Sequence, residues 1–404
     1  MNQDTIFLLK GKVQNYAWGG TTFISQLLNL DNKEKKPIAE YWMGAHPSAS
    51  STILLNGKEI SLNEVINKNP AAFLGEKVNR RFGELPYLFK ILDVKEMLSI
   101  QVHPSKVEAE KGFDAEEAAG ILITDKKRNY KDRNHKPEVM VALSEFWLLH
   151  GFLTKEKLSA VLQSIAEFSV FVTIFDKEGY KALYNAVMEM PQTQVDKMLK
   201  PLVKRELTEK TTDKSLPGFW VNKLYKDHSG DRFENIDRGI FSIYFFNIVR
   251  AMPGEAVFQG AGVPHAYLEG QNVELMANSD NVLRGGLTPK HIDVPELMKH
   301  TKFEGIVPHI MKGEILANRE KNYPCPVPDF GITKIEVASQ QYIESKSFSA
   351  EIIIVMKGEL TIQTAQNSIT FFGGEAVFVL PQTSYKILSQ DSGTAFKAFV
   401  PTID

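Results

Sequence analysis

The most constraining feature of this sequence is the alternation of polar and apolar residues in Gln101-Val102-His103. Successive side chains of a β-strand point to opposite faces, so on a strand Gln101 and His103 share one face. A second segment, Asn134-His135-Lys136-Pro137-Glu138, ends in a carboxylate just before the apolar run 139–143. If both segments lie in one sheet, an amide oxygen, an imidazole and a carboxylate could converge on one cation.

A fourth candidate ligand comes much later, in Gly262-Val263-Pro264-His265-Ala266-Tyr267. Two imidazoles, one carboxylate and one amide oxygen suit a borderline divalent cation, with zinc as the first choice. The chain has one cysteine, Cys325, so no thiolate set competes for the ion and no intrachain disulfide can form. These donors favour a catalytic metal site, which keeps an open position for water or substrate.

Length and charge exclude some classes of protein. A chain of 404 residues can bury a large core, and we expect two or three domains. Its 47 basic and 49 acidic residues give a formal net charge of −2, so no basic excess exists to neutralise a nucleic-acid backbone. No apolar run approaches the roughly 18 residues of a membrane span, and Met1-Asn2-Gln3-Asp4 lacks the basic start of a signal peptide. We therefore expect a cytoplasmic protein that binds neither nucleic acid nor membrane.

The spacing of apolar residues predicts β-structure interrupted by helices. Strands are predicted over residues 85–94, 98–102 and 139–143. Helical spacing predicts a helical module over about residues 154–228, with Thr154 as the N-cap of its first helix. Residues 240–249 have the composition of a long buried strand, and a final β-module is predicted over about residues 331–401.

An internal repeat indicates a duplicated β-sandwich. Gly254-Glu255-Ala256-Val257-Phe258 recurs as Gly374-Glu375-Ala376-Val377-Phe378, and at the same displacement His265 corresponds to Tyr385. Both copies combine a glycine turn with an apolar strand. We therefore predict a second, C-terminal jelly roll that has no metal ligand at the position of His265.

A series of distinctive motifs runs in order along nearly the whole chain. They are Gln14-Asn15-Tyr16-Ala17-Trp18-Gly19, Ala39-Glu40-Tyr41-Trp42-Met43-Gly44-Ala45-His46-Pro47, Leu85-Pro86-Tyr87-Leu88-Phe89-Lys90, Gln101-Val102-His103-Pro104, Tyr130-Lys131-Asp132-Arg133-Asn134-His135-Lys136-Pro137-Glu138, Pro264-His265-Ala266-Tyr267-Leu268, Glu274-Leu275-Met276-Ala277-Asn278-Ser279-Asp280-Asn281-Val282-Leu283-Arg284 and Gly286-Leu287-Thr288-Pro289-Lys290. With them the chain resembles the type I mannose-6-phosphate isomerases (phosphomannose isomerases), zinc enzymes of the cupin superfamily.

The resemblance implies a mainly β fold of cupin-type jelly-roll sandwiches with an inserted α-helical domain. A catalytic cupin domain would cover residues 1–153 and 229–330, the helical domain residues 154–228, and a metal-free jelly roll residues 331–404. The resemblance also implies one zinc ion per chain. Its ligands would be Gln101, His103, Glu138 and His265.

The family's reaction interconverts mannose 6-phosphate and fructose 6-phosphate through a cis-enediol. It needs a base, a group that stabilises negative oxygen and an anchor for phosphate. Arg284 stands at the family's catalytic arginine and stays cationic, which suits charge stabilisation. The candidates for the base are His135, Lys136, Glu274 and Asp280, and Lys136 is favoured for substrate handling or proton transfer.

Substrate contacts are expected from Lys136, Arg284, Ser105 and Tyr267. The sequence departs from the family at Gly285, where the family usually has alanine, and this change leaves the charge of Arg284 in place.

Two other functions stay open at this point. Two imidazoles and one carboxylate also describe a metal-dependent oxygenase on the same scaffold, although Gln101 and Arg284 fit that chemistry poorly. A non-catalytic sugar-phosphate-binding cupin is the second alternative, and the presence of all four ligands argues against it. We expect a sugar phosphate as the small-molecule partner and a monomer or weak homo-oligomer as the assembly.

Overall fold

The fold is described from a computed structural model over residues 4–55, 57–226 and 234–402. Its strands are β1 (Ile6–Lys10), β2 (Lys12–Gln14), β3 (Glu40–Gly44), β4 (Thr52–Leu55), β5 (Lys58–Ser61), β6 (Tyr87–Val94), β7 (Ile100–Val102), β8 (Glu138–Ala142), β9 (Phe146–Phe152), β10 (Phe246–Ala251), β11 (Ala256–Gln259), β12 (His265–Ala277), β13 (Leu283–Gly286), β14 (Glu314–Ile315), β15 (Lys321–Tyr323), β16 (Gly331–Val337), β17 (Tyr342–Lys346), β18 (Glu351–Gln363), β19 (Ser368–Phe372), β20 (Ala376–Val379), β21 (Ser384–Leu388) and β22 (Gly393–Phe399).

The helices of the described residues are mostly short outside one module. They are α1 (Phe23–Leu27), α2 (Leu62–Lys68), α3 (Pro70–Leu74), α4 (Glu76–Phe82), α5 (Lys106–Ala118), α6 (Lys155–Ser164), α7 (Val172–Met188), α8 (Gln192–Glu209), α9 (Pro217–Tyr225), α10 (Gly239–Phe245) and α11 (Val294–His300), with a 3₁₀ turn at Ala166–Phe171. None of these helices is both long and apolar enough to cross a membrane.

Two antiparallel sheets form the framework. The first follows the order β10-β9-β12-β6-β3-β2, with β7 and β8 also paired to β12. The second follows the order β14-β15-β16-β22-β18-β20-β1-β4-β5. The long strand β12 is therefore the centre of the first sheet, and it carries His265 at its start and Glu274 near its end. The prediction of a mainly β protein with a helical module is confirmed.

The two sheets share one apolar core. Phe89 and Leu275 of the first sheet belong to the same buried cluster as Ile352 and Phe378 of the second. Burial of each such side chain contributes about 1.5–3 kcal/mol. The Tyr87 hydroxyl also lies within hydrogen-bond distance of two carbonyl oxygens of the C-terminal strands, at 3.2 and 3.3 Å. The sheet that carries the candidate ligands thus rests on the C-terminal sheet.

The helical module packs against strand β9 of the first sheet. Its first helix begins at Lys155 after Thr154, as predicted, although the Thr154 side chain makes no capping hydrogen bond. Helices α6 to α9 bury their apolar stripes in a second cluster together with Trp147 and Phe152 of β9. The predicted end of the module near residue 228 lies outside the described residues.

One predicted strand is wrong in its first half. Residues 240–245 lie in helix α10, and strand β10 begins only at Phe246. Every residue of α10 is buried, so its sequence is apolar on all sides and shows no helical period. A short, fully apolar run cannot be assigned to helix or strand by periodicity alone.

The repeated five-residue segment forms the same turn in both places. Gly254 and Gly374 have left-handed φ values of +84° and +87°, which favour glycine. The carboxylates of Glu255 and Glu375 each accept a hydrogen bond of 2.9 Å from the backbone N–H three residues earlier. The strands that follow the two turns, β11 and β20, pair antiparallel with β8 and β18, as a duplicated sandwich requires.

The two copies also share their strand register. In the first copy, Gln259 lies opposite Glu138; in the second, Val379 lies opposite Glu351. Glu351 therefore occupies the position of Glu138. The hydroxyl of Tyr385, which replaces His265, donates a hydrogen bond of 2.7 Å to Glu351.

The second sheet includes the start of the chain. Strand β1 lies between β20 and β4, with Ile6 opposite Val379 and Leu9 opposite Ile53. The sheet of the C-terminal module therefore extends across residues assigned above to the catalytic domain, and the division into domains stays a prediction.

Candidate metal centre

Three predicted ligands converge in the first sheet. Candidate ligand atoms of His103, Glu138 and His265 all lie within 4.8 Å of one another. The Nε2 atom of His103 is 3.5 Å from one oxygen of Glu138, and the Nε2 atom of His265 is 3.4 Å from the other. All three side chains are buried. This is the only such group of His, Cys, Asp and Glu side chains found across residues 4–55, 57–226 and 234–402.

Strand pairing explains why these distant residues meet. Glu138 begins β8, which pairs with the far half of β12, and His265 begins β12 itself. His103 directly follows β7, whose residue Gln101 lies opposite His265. The backbone N–H of Gly262 donates to the carbonyl oxygen of His103 at 2.9 Å, which joins the two histidine segments.

Both imidazoles have their outer nitrogen held by the backbone. Nδ1 of His103 donates to the carbonyl oxygen of Asn281 at 2.8 Å, and Nδ1 of His265 donates to that of Val263 at 2.9 Å. This tautomer leaves a lone pair on each Nε2, and both Nε2 atoms are buried without a hydrogen-bond partner among the described residues. Buried polar atoms are rarely left unpaired, and a metal-binding histidine usually donates its other N–H in this way. The residues present therefore fit a zinc ion.

The charges at the site favour the metal-binding protonation states. Burial lowers the pKa of His103 to about 4, so its imidazole is neutral at physiological pH. Burial acts to raise the pKa of Glu138, but the ammonium of Lys136 and the imidazole of His103 hold it well below its usual range. A neutral imidazole and an ionised carboxylate are the forms that bind a cation.

A row of polar residues crosses four strands at this level. Gln101 lies opposite His265 on one side, and His150 lies opposite His265 on the other. Arg284 lies opposite Gln101 on β13. Residues directly opposite each other in antiparallel strands point to the same face. Gln101 and Arg284 are thus on the same face as His265, as a fourth ligand and a cation beside the site need to be.

His150 is a member of this row to which sequence reasoning assigned no function. Its Nδ1 donates to Oε1 of Gln259 at 2.7 Å, and Gln259 lies opposite Glu138. Burial lowers the pKa of His150 to about 4. The pair therefore places a third imidazole, that of His150, beside the two of the metal group. No motif in the sequence indicates it, because the two residues meet only through the sheet.

A buried charge cluster lies farther along β12. The ammonium of Lys90 is 3.0 Å from Glu274 and 3.9 Å from Glu40. Burial acts to lower the pKa of Lys90, but these two carboxylates raise it above its ordinary value. The pKa of Glu274 is raised by burial and by the carboxylates of Glu138 and Glu40. Lys90 was also missed, although a lysine within an apolar strand is itself an indication of a functional site.

The remaining candidates for the base are all in ion pairs. Lys136 lies two residues before β8 begins, and its ammonium is 3.3 Å from the Glu138 carboxylate. His135 pairs with Asp329 at 3.0 Å, and Asp280 pairs with His46 at 3.3 Å. These last two pairs line a cavity of about 960 Å³.

Two of the predicted substrate contacts, Tyr267 and Ser105, differ in their exposure to solvent. Tyr267 is buried two residues after His265 on β12, and burial together with Glu274 and Glu138 raises the pKa of its hydroxyl. Ser105 is exposed, and its hydroxyl accepts the N–H of Glu108 at 3.4 Å as the N-cap of α5.

Arg284 belongs to a group of cations. Burial lowers its pKa, and no carboxylate lies within 4.0 Å of its guanidinium in the described parts of the chain. Its charge helps to lower the pKa of Lys290 and, after burial and other neighbours, that of Lys131. Two lysines whose pKa values are lowered in part by the charge of Arg284 mark a place where an anion would be stabilised.

Comparisons with known proteins agree with this site. The sequence model described as "Phosphomannose isomerase type I, catalytic domain" matches residues 6–155. The mannose-6-phosphate isomerase of Salmonella typhimurium is 38% identical over 92% of this chain and 94% of its own. The human mannose-6-phosphate isomerase is 34% identical over 93% of each chain. The crystal structure of the Salmonella typhimurium enzyme with fructose 6-phosphate and zinc has a TM-score of 0.87 and 35% identity, and it covers 99% of this chain and 100% of that one.

Proposed function

The chain belongs to the type I phosphomannose isomerase family, and on that premise we propose how its buried site carries out the family's reaction. It is a zinc-dependent aldose-ketose isomerase that interconverts mannose 6-phosphate and fructose 6-phosphate, on a cupin-type fold. The observation that carries the proposal is the pair of unpartnered, buried Nε2 atoms facing the Glu138 carboxylate.

We propose that His103, Glu138, His265 and Gln101 hold the zinc ion. Glu138 is the only anion in this set, so the metal centre keeps a net positive charge. Bound zinc acts as a Lewis acid that stabilises negative charge on sugar oxygen. The hydrogen bonds from both Nδ1 atoms to backbone carbonyls keep the two rings in the orientation that the metal needs.

The reaction moves one hydrogen between neighbouring carbons. A base removes the proton from C2 of the aldose while O1 gains a proton, which gives the cis-enediol. Return of a proton to C1 and loss of the proton from O2 then gives the ketose. The base must therefore hold a proton between two carbons and must be shielded from water.

We propose Glu274 as this base and Lys136 as the group that handles the oxygen-bound proton. Glu274 is buried, and its raised pKa brings its basicity closer to neutral pH, where a general base is most effective. Lys90 at 3.0 Å keeps the carboxylate from becoming protonated outright. Lys136, 3.3 Å from Glu138, would lie against the sugar oxygens beside the metal. Asp280 suits the role of base less well, because its hydrogen bond with His46 lowers its pKa, and His135, which pairs with Asp329, is the remaining rival.

We propose that Arg284 stabilises the enediolate and that Lys131 and Lys290 anchor the phosphate. Arg284 lies next to Gln101 in the polar row, so its guanidinium is on the ligand face of the sheet. The two lysines are close enough to feel its charge. A dianionic phosphate would relieve the repulsion within this group of cations.

The two alternative functions are less well supported. An oxygenase would not need the cation group around Arg284, and a non-catalytic binding protein would not need a complete ligand set. The mannose-6-phosphate isomerases of Salmonella typhimurium and human match 92% and 93% of the chain. We propose that the protein is cytoplasmic, because its single cysteine fits a reducing compartment. For its assembly we propose a monomer or weak homo-oligomer.

The test is turnover of mannose 6-phosphate under anaerobic conditions, with fructose 6-phosphate formation coupled to a reporter. We expect activity that is lost on chelation and restored by zinc. The variant His265→Ala should lose zinc and activity together while its far-ultraviolet circular dichroism stays that of the parent. Turnover that survives complete removal of metal, or a strict need for oxygen, would overturn the proposal.

A further inference from the structure

The side chain of Asn281 is fully engaged with the loop that leads to Glu138. Asn281 follows β12, and it is 1% exposed. Its Oδ1 accepts the N–H of Lys131 at 2.7 Å. Its Nδ2 donates to the carbonyl oxygens of Asp132 and Asn134, both at 2.8 Å. A buried amide whose donors and acceptor are all satisfied holds its partners firmly, because a buried polar group left unpaired is costly.

The backbone of the same residue holds a metal ligand. The carbonyl oxygen of Asn281 accepts Nδ1–H of His103 at 2.8 Å. This bond decides which nitrogen of His103 carries the proton and how the ring is turned. Asn281 is therefore in contact with two separate parts of the site: one imidazole directly, and the segment with Lys136 and Glu138 through residues 131–134.

We propose that Asn281 is a positioning residue that couples the orientation of His103 to the loop 131–134. When the side-chain amide is in place, the carbonyl oxygen and the loop move as one unit, so the His103 ring and the approach to Lys136 are set together. Loss of the amide frees both. Nothing in Asn281 touches the substrate; it acts through His103 and the loop. The inference rests on the proposed zinc function.

The test compares two buried asparagines with similar surroundings. Asn281→Ala and Asn281→Asp remove the donors, and the aspartate also sets a carboxylate against two carbonyl oxygens. Asn247→Ala is the matched control, because the Asn247 amide lies 2.9–3.2 Å from four carbonyl oxygens but away from residues 131–134. Zinc affinity is measured by chelator competition, and the visible absorption of the cobalt-substituted proteins reports the coordination geometry.

Both Asn281 variants should bind zinc about 10–100-fold more weakly than the parent and should show an altered cobalt spectrum. Asn247→Ala should lower the melting temperature while zinc affinity stays within about twofold of the parent. If Asn281→Ala fails to fold, Asn281→Ser, which keeps an acceptor, replaces it. Parent-like zinc affinity and cobalt spectrum in the Asn281 variants would overturn the inference alone, whereas a parent protein that binds no zinc would overturn the proposed function.

Discussion

Gln101 and His265 lie directly opposite each other on neighbouring antiparallel strands, β7 and β12. Their side chains share one face, and the segments that bring them there are far apart in the sequence. On the proposal that Gln101 is the fourth ligand, its neutral amide would add an oxygen ligand without adding charge. The balance between holding the metal and keeping it electrophilic would then depend on this position.

Substitution of Gln101 should separate those two properties. Gln101→Glu adds a second anion, so we expect zinc to be bound at least as tightly while kcat falls, because the metal centre loses positive charge. Gln101→Ala should weaken zinc binding by at least about tenfold, or about 1.4 kcal/mol. Zinc content after dialysis and kcat at saturating zinc measure the two effects. A fully active Gln101→Glu variant would contradict this account.

Replacement of Arg284 should act on the transition state. Arg284→Ala should lower kcat by about 10²–10³ with zinc content unchanged, which is the usual cost of removing one charge-stabilising donor. Arg284→Lys should recover only part of the loss, because an ammonium cannot reproduce the planar guanidinium. Steady-state kinetics and metal analysis are the measurements. An increase confined to KM would instead make Arg284 part of the phosphate anchor.

Substitution of Glu274 and of Lys136 should have different effects on exchange of the C2 hydrogen with solvent. Glu274→Gln keeps the shape of the side chain but not its basicity, so kcat should fall by about 10²–10⁴. Exchange of the C2 hydrogen with solvent should fall with it. Lys136→Met should reduce kcat while exchange of the C2 hydrogen with solvent stays detectable, since Lys136 is not the group that removes the carbon-bound proton. Exchange followed in deuterated water decides between them, and normal exchange in Glu274→Gln would exclude that residue as the base.

The free energy of unfolding should decrease as the pH is lowered from about 6.5 to about 4, and His150 should contribute to this loss. Burial lowers its pKa to about 4 in the folded protein, whereas the unfolded chain regains a value near 6.5. In this window the unfolded state binds the extra proton, so acid favours unfolding by up to about 1.4 kcal/mol per pH unit from this group. Above the window its contribution is fully present. In the presence of chelator, His150→Gln should flatten the pH dependence of urea unfolding, and the exposed His309→Gln should not. If the free energy of unfolding of His150→Gln depends on pH as steeply as that of the parent, His150 does not contribute to the acid sensitivity.

A buried ion network should stabilise the C-terminal sandwich. Lys397 donates to Glu320 at 2.7 Å and lies 3.4 Å from the Tyr385 hydroxyl, which is bonded to Glu351. Lys397→Met leaves these carboxylates without a cation and should cost about 3–5 kcal/mol.

The double variant Glu351→Gln, Lys397→Met tests the same network, and it should regain part of that loss because one buried charge is removed with the other. Lys386→Met, at an exposed pair with Glu344, is the control and should unfold like the parent. Denaturant unfolding followed by fluorescence gives all three values. A double variant no more stable than Lys397→Met would contradict the coupling.

The group of His103, Glu138 and His265 could be predicted because each lies in a motif that resembles the phosphomannose isomerases, and the role of Gln101 as a fourth ligand stays a prediction. His150 and Gln259 could not, since their partnership exists only through the register of β9, β11 and β12. The strand predicted over residues 240–245 failed for a related reason: full burial of α10 erases the period that distinguishes helix from strand.

Roles that depend on collective charge were also beyond the sequence. Arg284, Lys131 and Lys290 form a group only once β13 and the loop after Tyr130 come together. The same holds for Lys90 between Glu274 and Glu40. The spacing of charged residues along the sequence does not show which of them will meet in the folded protein.

The position of β1 between β4 and β20 has a consequence for biosynthesis. Ile6 lies opposite Val379, so β1 is synthesised long before β20 is available to pair with it. Closing so long a loop is slow, and the unpaired strand edges are open to aggregation meanwhile. A chain that ends before β20 would leave one edge of β1 open, with only β4 beside it, although all four proposed metal ligands precede β20 in the sequence.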